Sequence, residues 1–192
     1  MAIMEAILVI CSKIAFNIGP IPLTLQTFAV FIIPLIVGFK KSIFIFLTYI
    51  IMGIAGIPVF SNGGGWSYIF EPSFGFIVGF FFASLVISLA SNSKNIYLKY
   101  ITSTLGLLVI NIFGVVHMYL IMNFYLGLDK SISYIITVGV VPFIAKDFAC
   151  AILSCIIYSR LNAIYHPQYD INPNMNLYDF KWFTLLSGFF KY

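Results

Sequence analysis

The chain has 192 residues, of which 61 % are apolar and only 8 % charged, with a formal net charge of +4. Soluble domains carry roughly 25 % charged residues, so this composition cannot cover a water-facing surface. A spanning helix needs about 20 predominantly apolar residues, which leaves room for around six spans with short loops and none for a second soluble domain.

The first apolar run covers residues 2–18 and stops at Gly19-Pro20-Ile21-Pro22, where two prolines bar helix continuation. It has no basic region before it and no small-residue cleavage site, so it is expected to stay as a helix. The second run, 23–39, ends at Lys40-Lys41, and the third, 43–57, ends at Pro58. The least helical stretch follows, from Ser61-Asn62-Gly63-Gly64-Gly65-Trp66 to Glu71-Pro72-Ser73. A fourth span at 74–90 leads into Ser91-Asn92-Ser93-Lys94-Asn95. The fifth, 97–126, is closed by Asp129-Lys130-Ser131, and the sixth, 132–160, carries Pro142. The fold class is therefore an all-α integral membrane protein of six transmembrane helices. Residues 1–160 form the helical domain, and 161–192 form a tail. There Trp182, Phe183, Phe189, Phe190 and Tyr192 alternate with Lys181 and Lys191, as in a short interfacial helix or a disordered segment touching lipid.

In such a protein the positive balance reports orientation and not a nucleic-acid partner, because Lys and Arg are enriched in cytoplasmic loops. With the N-terminus inside, Lys40, Lys41, Lys94, Lys99, Arg160, Lys181 and Lys191 fall on the cytoplasmic side, against Lys13, Lys130 and Lys146 opposite. Both termini are expected in the cytoplasm. The Gly-rich loop and the Pro142 region then share the outer face. Cys11, Cys150 and Cys155 sit in apolar stretches without metal or redox spacing and read as buried free thiols.

Ionisable groups at membrane depth are costly and mark functional sites. Three segments converge on the outer half. In Ile21-Pro22-Leu23-Thr24-Leu25-Gln26-Thr27 a proline break frees backbone groups beside three hydrogen-bonding side chains, which is tolerated at depth only when buried or lining a cavity. An ordinary helix start capped by Thr24 is the alternative. In Asn62-Gly63-Gly64-Gly65-Trp66 and on to Ser73, glycines allow close backbone approach and the indole supplies a flat apolar wall; a plain connector fits equally. In Pro142-Phe143-Ile144-Ala145-Lys146-Asp147, a helix resuming after the proline turns Asp147 inward, where its carboxylate accepts N–H donors strongly. His117 lies alone in the fifth span and reads as a packing residue, and Glu5 sits near the inner end of the first. No enzyme or nucleotide motif is present: no His-Glu pair at helical spacing, no Gly-x-Ser-x-Gly, no phosphate loop. No catalytic residue, metal or cofactor is expected.

The same segments resemble the BioY family, the biotin-specific S subunits of energy-coupling-factor transporters. Ile21-Pro22-Leu23-Thr24-Leu25-Gln26-Thr27-Phe28-Ala29-Val30 looks like that family's most recognisable stretch. Gly53-Ile54-Ala55-Gly56-Ile57-Pro58-Val59-Phe60 is similar to the next landmark, and Pro142-Phe143-Ile144 with Asp147 to the last. The resemblance frames residues 6–160. It implies a six-helix subunit in the cell membrane with an outward-facing vitamin pocket, biotin as ligand, and as partners a transmembrane T component and two cytoplasmic ATPases. It also implies docking through small residues of the first helix, here Ala2 and Ala6.

Two departures stand out. The resemblance implies a lysine three residues after the aspartate, to meet the biotin carboxylate, and this chain has Cys150 there. Lys146, one turn earlier on the same face, is expected to supply the missing charge. The family's Gly-Pro-Thr-Gly-Gly-Tyr here reads Glu71-Pro72-Ser73-Phe74-Gly75-Phe76. The expected ligand-binding set is Asp147, Lys146, Cys150, Asn62, Gly63, Gly64, Gly65, Trp66, Ser73, Gln26 and Thr24. Three other readings remain: an S subunit for another small vitamin, a structural subunit, and a membrane enzyme using Asp147 with His117, which needs those two within about 3 Å.

Overall fold

The computed structural model describes residues 1–18, 21–93 and 95–165. Trp182, Phe183, Phe189, Phe190 and Tyr192, expected at the interface, lie outside them. Met1–Arg160 packs as one compact unit. In chain order it contains α1 (Ala2–Lys13), strands β1 (Ala15–Ile18) and β2 (Ile21–Thr24), α2 (Gln26–Val37), α3 (Phe39–Ile54), α4 (Phe74–Ser88), α5 (Ile96–Leu120), α6 (Ile132–Gly139) and α7 (Val141–Tyr165). A 3-10 turn at Trp66–Phe70 precedes α4, and a π-helical turn at Ile121–Tyr125 ends α5. Ile96–Tyr125 and Val141–Asn162 are each long and apolar enough to cross a membrane.

Two boundaries depart from the expected spans. The first helix stops at Lys13, five residues short of Ile18, because the next stretch finds a better partner. Ala15–Ile18 pairs antiparallel with Ile21–Thr24, in the register Ala15↔Thr24 and Phe16↔Leu23. Pro22 donates no hydrogen bond and fits a two-stranded ribbon, where one side of each strand is unpaired. The last expected span is two helices, divided at Val140, whose φ of −121° leaves the helical region. Pro142 follows in the first turn of α7, where a missing N–H costs nothing.

The packing is inverted relative to a water-soluble bundle. On α7, Phe143, Asp147, Cys150, Ala151, Ser154 and Cys155 are buried, while Ile144, Phe148, Ile152, Leu153 and Ile156 are exposed. Polar groups therefore face inward and large aliphatic groups outward, the arrangement of a lipid-solvated helix. All three cysteines are buried and free.

The most extensive helix pair is α4 with α5, and glycines bring it together. A Cβ on Gly79 would lie 2.9 Å from the Cα and 3.0 Å from the carbonyl oxygen of Ile110. On Gly75 it would collide with the His117 side chain. Small residues at such crossings let backbones approach closely. Gly79→Ala is expected to cost about 1–3 kcal/mol through overpacking against backbone, read as a lowered unfolding temperature in detergent. Ile112→Val, on the exposed face of α5, is the comparison and should leave that temperature nearly unchanged.

Candidate functional site

The hairpin delivers the chain to α2 with its last strand residue, Thr24, at a point where helical bonding has not begun. The Thr24 carbonyl oxygen and the Thr27 side chain thus lie together at the head of α2. Opposite them, the helical stripe of α7 turns Asp147 inward to 6 % exposure. The Thr27 hydroxyl donates to Asp147 Oδ1 at 2.8 Å. Lys146 Nζ, reaching in from a half-buried position, donates to Thr27 Oγ1 and to the Thr24 carbonyl, both at 2.8 Å, and pairs with Asp147 Oδ1 at 2.5 Å. The hydroxyl of Thr27 thereby serves both as donor to the carboxylate and as acceptor from the ammonium. A buried ion pair is tolerable when extra hydrogen bonds offset its desolvation, and here the break before α2 supplies them. Cys150, one turn along α7, is buried with its thiol beside Thr27.

A neutral network lies next to this charged one. Gln26 Nε2 donates to the Tyr49 hydroxyl at 2.8 Å, and Tyr49 donates to the Val59 carbonyl at 3.0 Å. The same carbonyl accepts from Ser12 at 2.6 Å, and Lys13 donates to the Phe60 carbonyl. The phenyl ring of Phe60 is enclosed by Tyr49, Tyr68 and Phe74, with centroids 5.4, 4.7 and 6.3 Å away.

Two cavities of about 40 Å³ each share Ile21, Pro22, Thr24, Phe76 and Phe80 as lining. One adds the charged group Thr27, Lys146 and Asp147; the other adds Gln26, Ser61, Tyr68 and Ser73. Sites for small molecules run to about 300–1,000 Å³, so this geometry must widen to take one. Of the ion pair, Lys146 is the more exposed, with 22 % of its side chain accessible against 8 % for Asp147.

Of the residues singled out in the sequence, Thr24, Gln26, Ser73, Lys146 and Asp147 line these cavities, with Cys150 packed behind. Asn62 and Trp66 do not join them: both are exposed, Trp66 at 70 %. Gly63, Gly64 and Gly65 serve the loop. The Gly65 N–H donates to the Gly53 carbonyl at 2.7 Å, and a Cβ on Gly64 would strike the carbonyl oxygens of Ile57 and Gly53. Gly63 and Gly65 hold φ of 121° and 118°, which side chains disfavour. The aromatic walls come instead from Phe76, Phe80 and Tyr68. Tyr49 and Tyr68 were legible only as hydroxyls inside apolar surroundings, which a buried position obliges to find partners. His117 packs on Phe74, with centroids 5.8 Å apart, while Asp147 is engaged by Thr27 and Lys146, so the pairing a membrane enzyme would need is not formed.

A family model described as the BioY family matches residues 1–167. A "Probable biotin transporter BioY" of Pyrococcus horikoshii is 35 % identical over 161 residues, covering 83 % of this chain and 92 % of that protein. A "Biotin transporter BioY" of Thermotoga maritima is 33 % identical over 164 residues, covering 84 % and 93 %. One of Lysinibacillus sphaericus, "Probable biotin transporter BioY", is 31 % identical over 169 residues, covering 85 % of each. In fold, the chain is similar to a solved S-component for biotin from an ECF-type ABC transporter, with a TM-score of 0.72 and 22 % identity, covering 84 % of this chain and 87 % of that one.

Removing one partner from the charged cluster should cost more than removing both. Lys146→Met leaves a buried carboxylate with one hydroxyl and is expected to destabilise by about 2 kcal/mol. Adding Asp147→Asn should restore most of that, and chemical denaturation of the single and double variants in mixed micelles measures the difference.

Proposed function

The chain belongs to the BioY family, and from that premise we propose that it captures biotin as the substrate-binding subunit of an energy-coupling-factor transporter. The observation that carries this reading is the inward-facing Asp147 carboxylate at the head of α2, backed by Thr27 and set in apolar walls. In water a carboxylate gains little from a neutral N–H donor. In a dry cavity the same bond is charge-assisted and much stronger. The ureido ring of biotin supplies such donors, and Phe76, Phe80 and Phe143 are positioned to pack its bicyclic body. An analogue lacking those donors leaves Asp147 unpaired and is rejected by a large factor.

Lys146 answers for the carboxylate at the other end of biotin. Its ammonium reaches the cluster from the rim, with 22 % of the side chain exposed, so it can leave Asp147 as the ligand arrives and meet the ligand's own charge. Asp147 then exchanges an internal cation for external N–H donors, and no charge is left alone. Cys150 is apolar packing in this scheme.

The subunit crosses the membrane in six helical passes, with the cavities towards the outer face and both termini cytoplasmic; residues 1–160 are the membrane domain and 161–192 a cytoplasmic tail. The basic pair Lys40 and Lys41 at the head of α3 supports that orientation. A T component and two ATPases supply the energy. The exposed α1 face with Ala2, Ile3, Ala6, Ile7 and Ile10 supports docking of the T component. A second reading, an S subunit for another small vitamin, is favoured by the bulk of Phe74, buried against Phe60 and Tyr68.

Calorimetric titration of biotin into the purified protein tests the assignment. Wild type should bind in the nanomolar range and Asp147→Asn should lose at least a hundredfold; a folded wild type that binds no biotin sinks it. Lys146→Ala should weaken biotin about tenfold while leaving biotinamide, which has no carboxylate, nearly unaffected. Equal affinity for biotin before and after that substitution would remove Lys146 from the scheme.

A further inference from the structure

The chemistry of the neutral cavity depends on which end of the Gln26 amide faces it. The Tyr49 hydroxyl, 3.0 Å from the Val59 carbonyl, donates its single proton to that oxygen. The Tyr49 oxygen then has only acceptor capacity left, and the Gln26 terminus 2.8 Å away must be the NH2 group. An amide's oxygen and NH2 ends are alike in shape, and here the bond to Tyr49 distinguishes them. Ser12 Oγ lies 2.6 Å from the same Val59 carbonyl and 2.7 Å from that of Val9, so its single proton is shared between two acceptors. Among the described residues Gln26 Oε1 has no hydrogen-bond partner, and it is not one of their sealed unpaired atoms. The side chain lines the cavity that also holds Thr24, Ser61, Tyr68 and Ser73.

We propose that Tyr49 is a positioning residue that locks the Gln26 amide, so that Oε1 is presented to the ligand as a fixed acceptor for an N–H group. The inference rests on the biotin reading and deepens it. A ureido ring offers two N–H donors, and the adjoining cavities then offer two acceptors of different charge, the Asp147 carboxylate and the Gln26 amide oxygen. An amide free to rotate would present NH2 as readily as oxygen and would accept a ring oxygen in place of N–H. Tyr49, which lines neither cavity, thereby sets which atoms the site demands.

Biotin and its two analogues methylated on one or the other ureido nitrogen are titrated against wild type, Tyr49→Phe, Gln26→Ala and the double variant. Tyr49→Phe should weaken biotin about tenfold and leave unchanged the affinity for the analogue methylated at the Gln26-facing nitrogen. It should add little in the Gln26→Ala background. Equal weakening of all three ligands, or additive losses in the double variant, overturns the proposal. Should Tyr49→Phe fail to fold, Gln26→Met removes the amide at the same length and must likewise erase the preference for the unmethylated nitrogen. Nitrogen NMR of the Gln26 side chain reads the orientation without ligand: its NH2 protons should exchange slowly in wild type and faster in Tyr49→Phe. Wild type that keeps this protected amide but binds no biotin refutes the transport reading while the orientation stands. An unprotected amide overturns the orientation even if biotin binds.

Discussion

A carboxylate withdrawn from water inside a lipid-solvated bundle is stable only if something nearby is already short of hydrogen-bond partners. In this chain the deficit is supplied by the passage from β2 into α2. The hairpin stops at Thr24 and the helix starts at Gln26, which leaves the Thr24 carbonyl outside helical bonding beside the Thr27 hydroxyl of the first turn. Asp147 and Lys146 complete that deficit from α7 across about 120 residues of sequence. A continuous helix from Leu23 would have consumed the Thr24 carbonyl internally and left the ion pair unsupported. The site exists because pairing with Ala15–Ile18 keeps the chain extended through Thr24 before α2 begins.

The existence of the apolar segments was readable because lipid imposes a composition no soluble core shares. Their ends were less so. Ala15–Ile18 is as apolar as the helix before it, and only pairing with Ile21–Thr24, a tertiary event, takes it out of α1. The break at Val140 was masked in the same way, since Pro142 fits a kinked helix and a fresh helix start equally. At the site, Thr24, Gln26, Lys146 and Asp147 could be found because a polar side chain beside a proline break has few alternatives. Asn62 and Trp66 stand exposed, outside both cavities. A glycine cluster signals close backbone approach without saying to what, and here the partner is the end of α3. Tyr49 carried no signal beyond a lone hydroxyl in an apolar run, because its role depends on where Val59 returns.

The neighbouring networks have different mechanical characters. Around Gln26, Tyr49 and Val59 the hydrogen bonds join side chains and backbone that are nearly inaccessible. Around Asp147, one of the three groups is a long flexible side chain at the rim. The first network is suited to fixed geometry and the second to rearrangement, which fits a site whose cavities are smaller than a bicyclic ligand. Recognition by such a pocket would couple the exit of an internal ammonium to the entry of the guest.

The last turn of α1 has a place in this arrangement that its sequence alone does not suggest. Ser12 and Lys13 hold the carbonyls of Val59 and Phe60, the segment against which the neutral network is built. The helix with the bare outer face and the Val59–Phe60 segment that carries the neutral network are therefore tied together at the last turn of α1. Any partner that grips α1 from the lipid side and tilts it must drag Val59 along, loosening the anchor of Tyr49 and Gln26 at the moment the helix moves. Release of cargo and reorientation of the subunit would then be a single displacement seen from two ends.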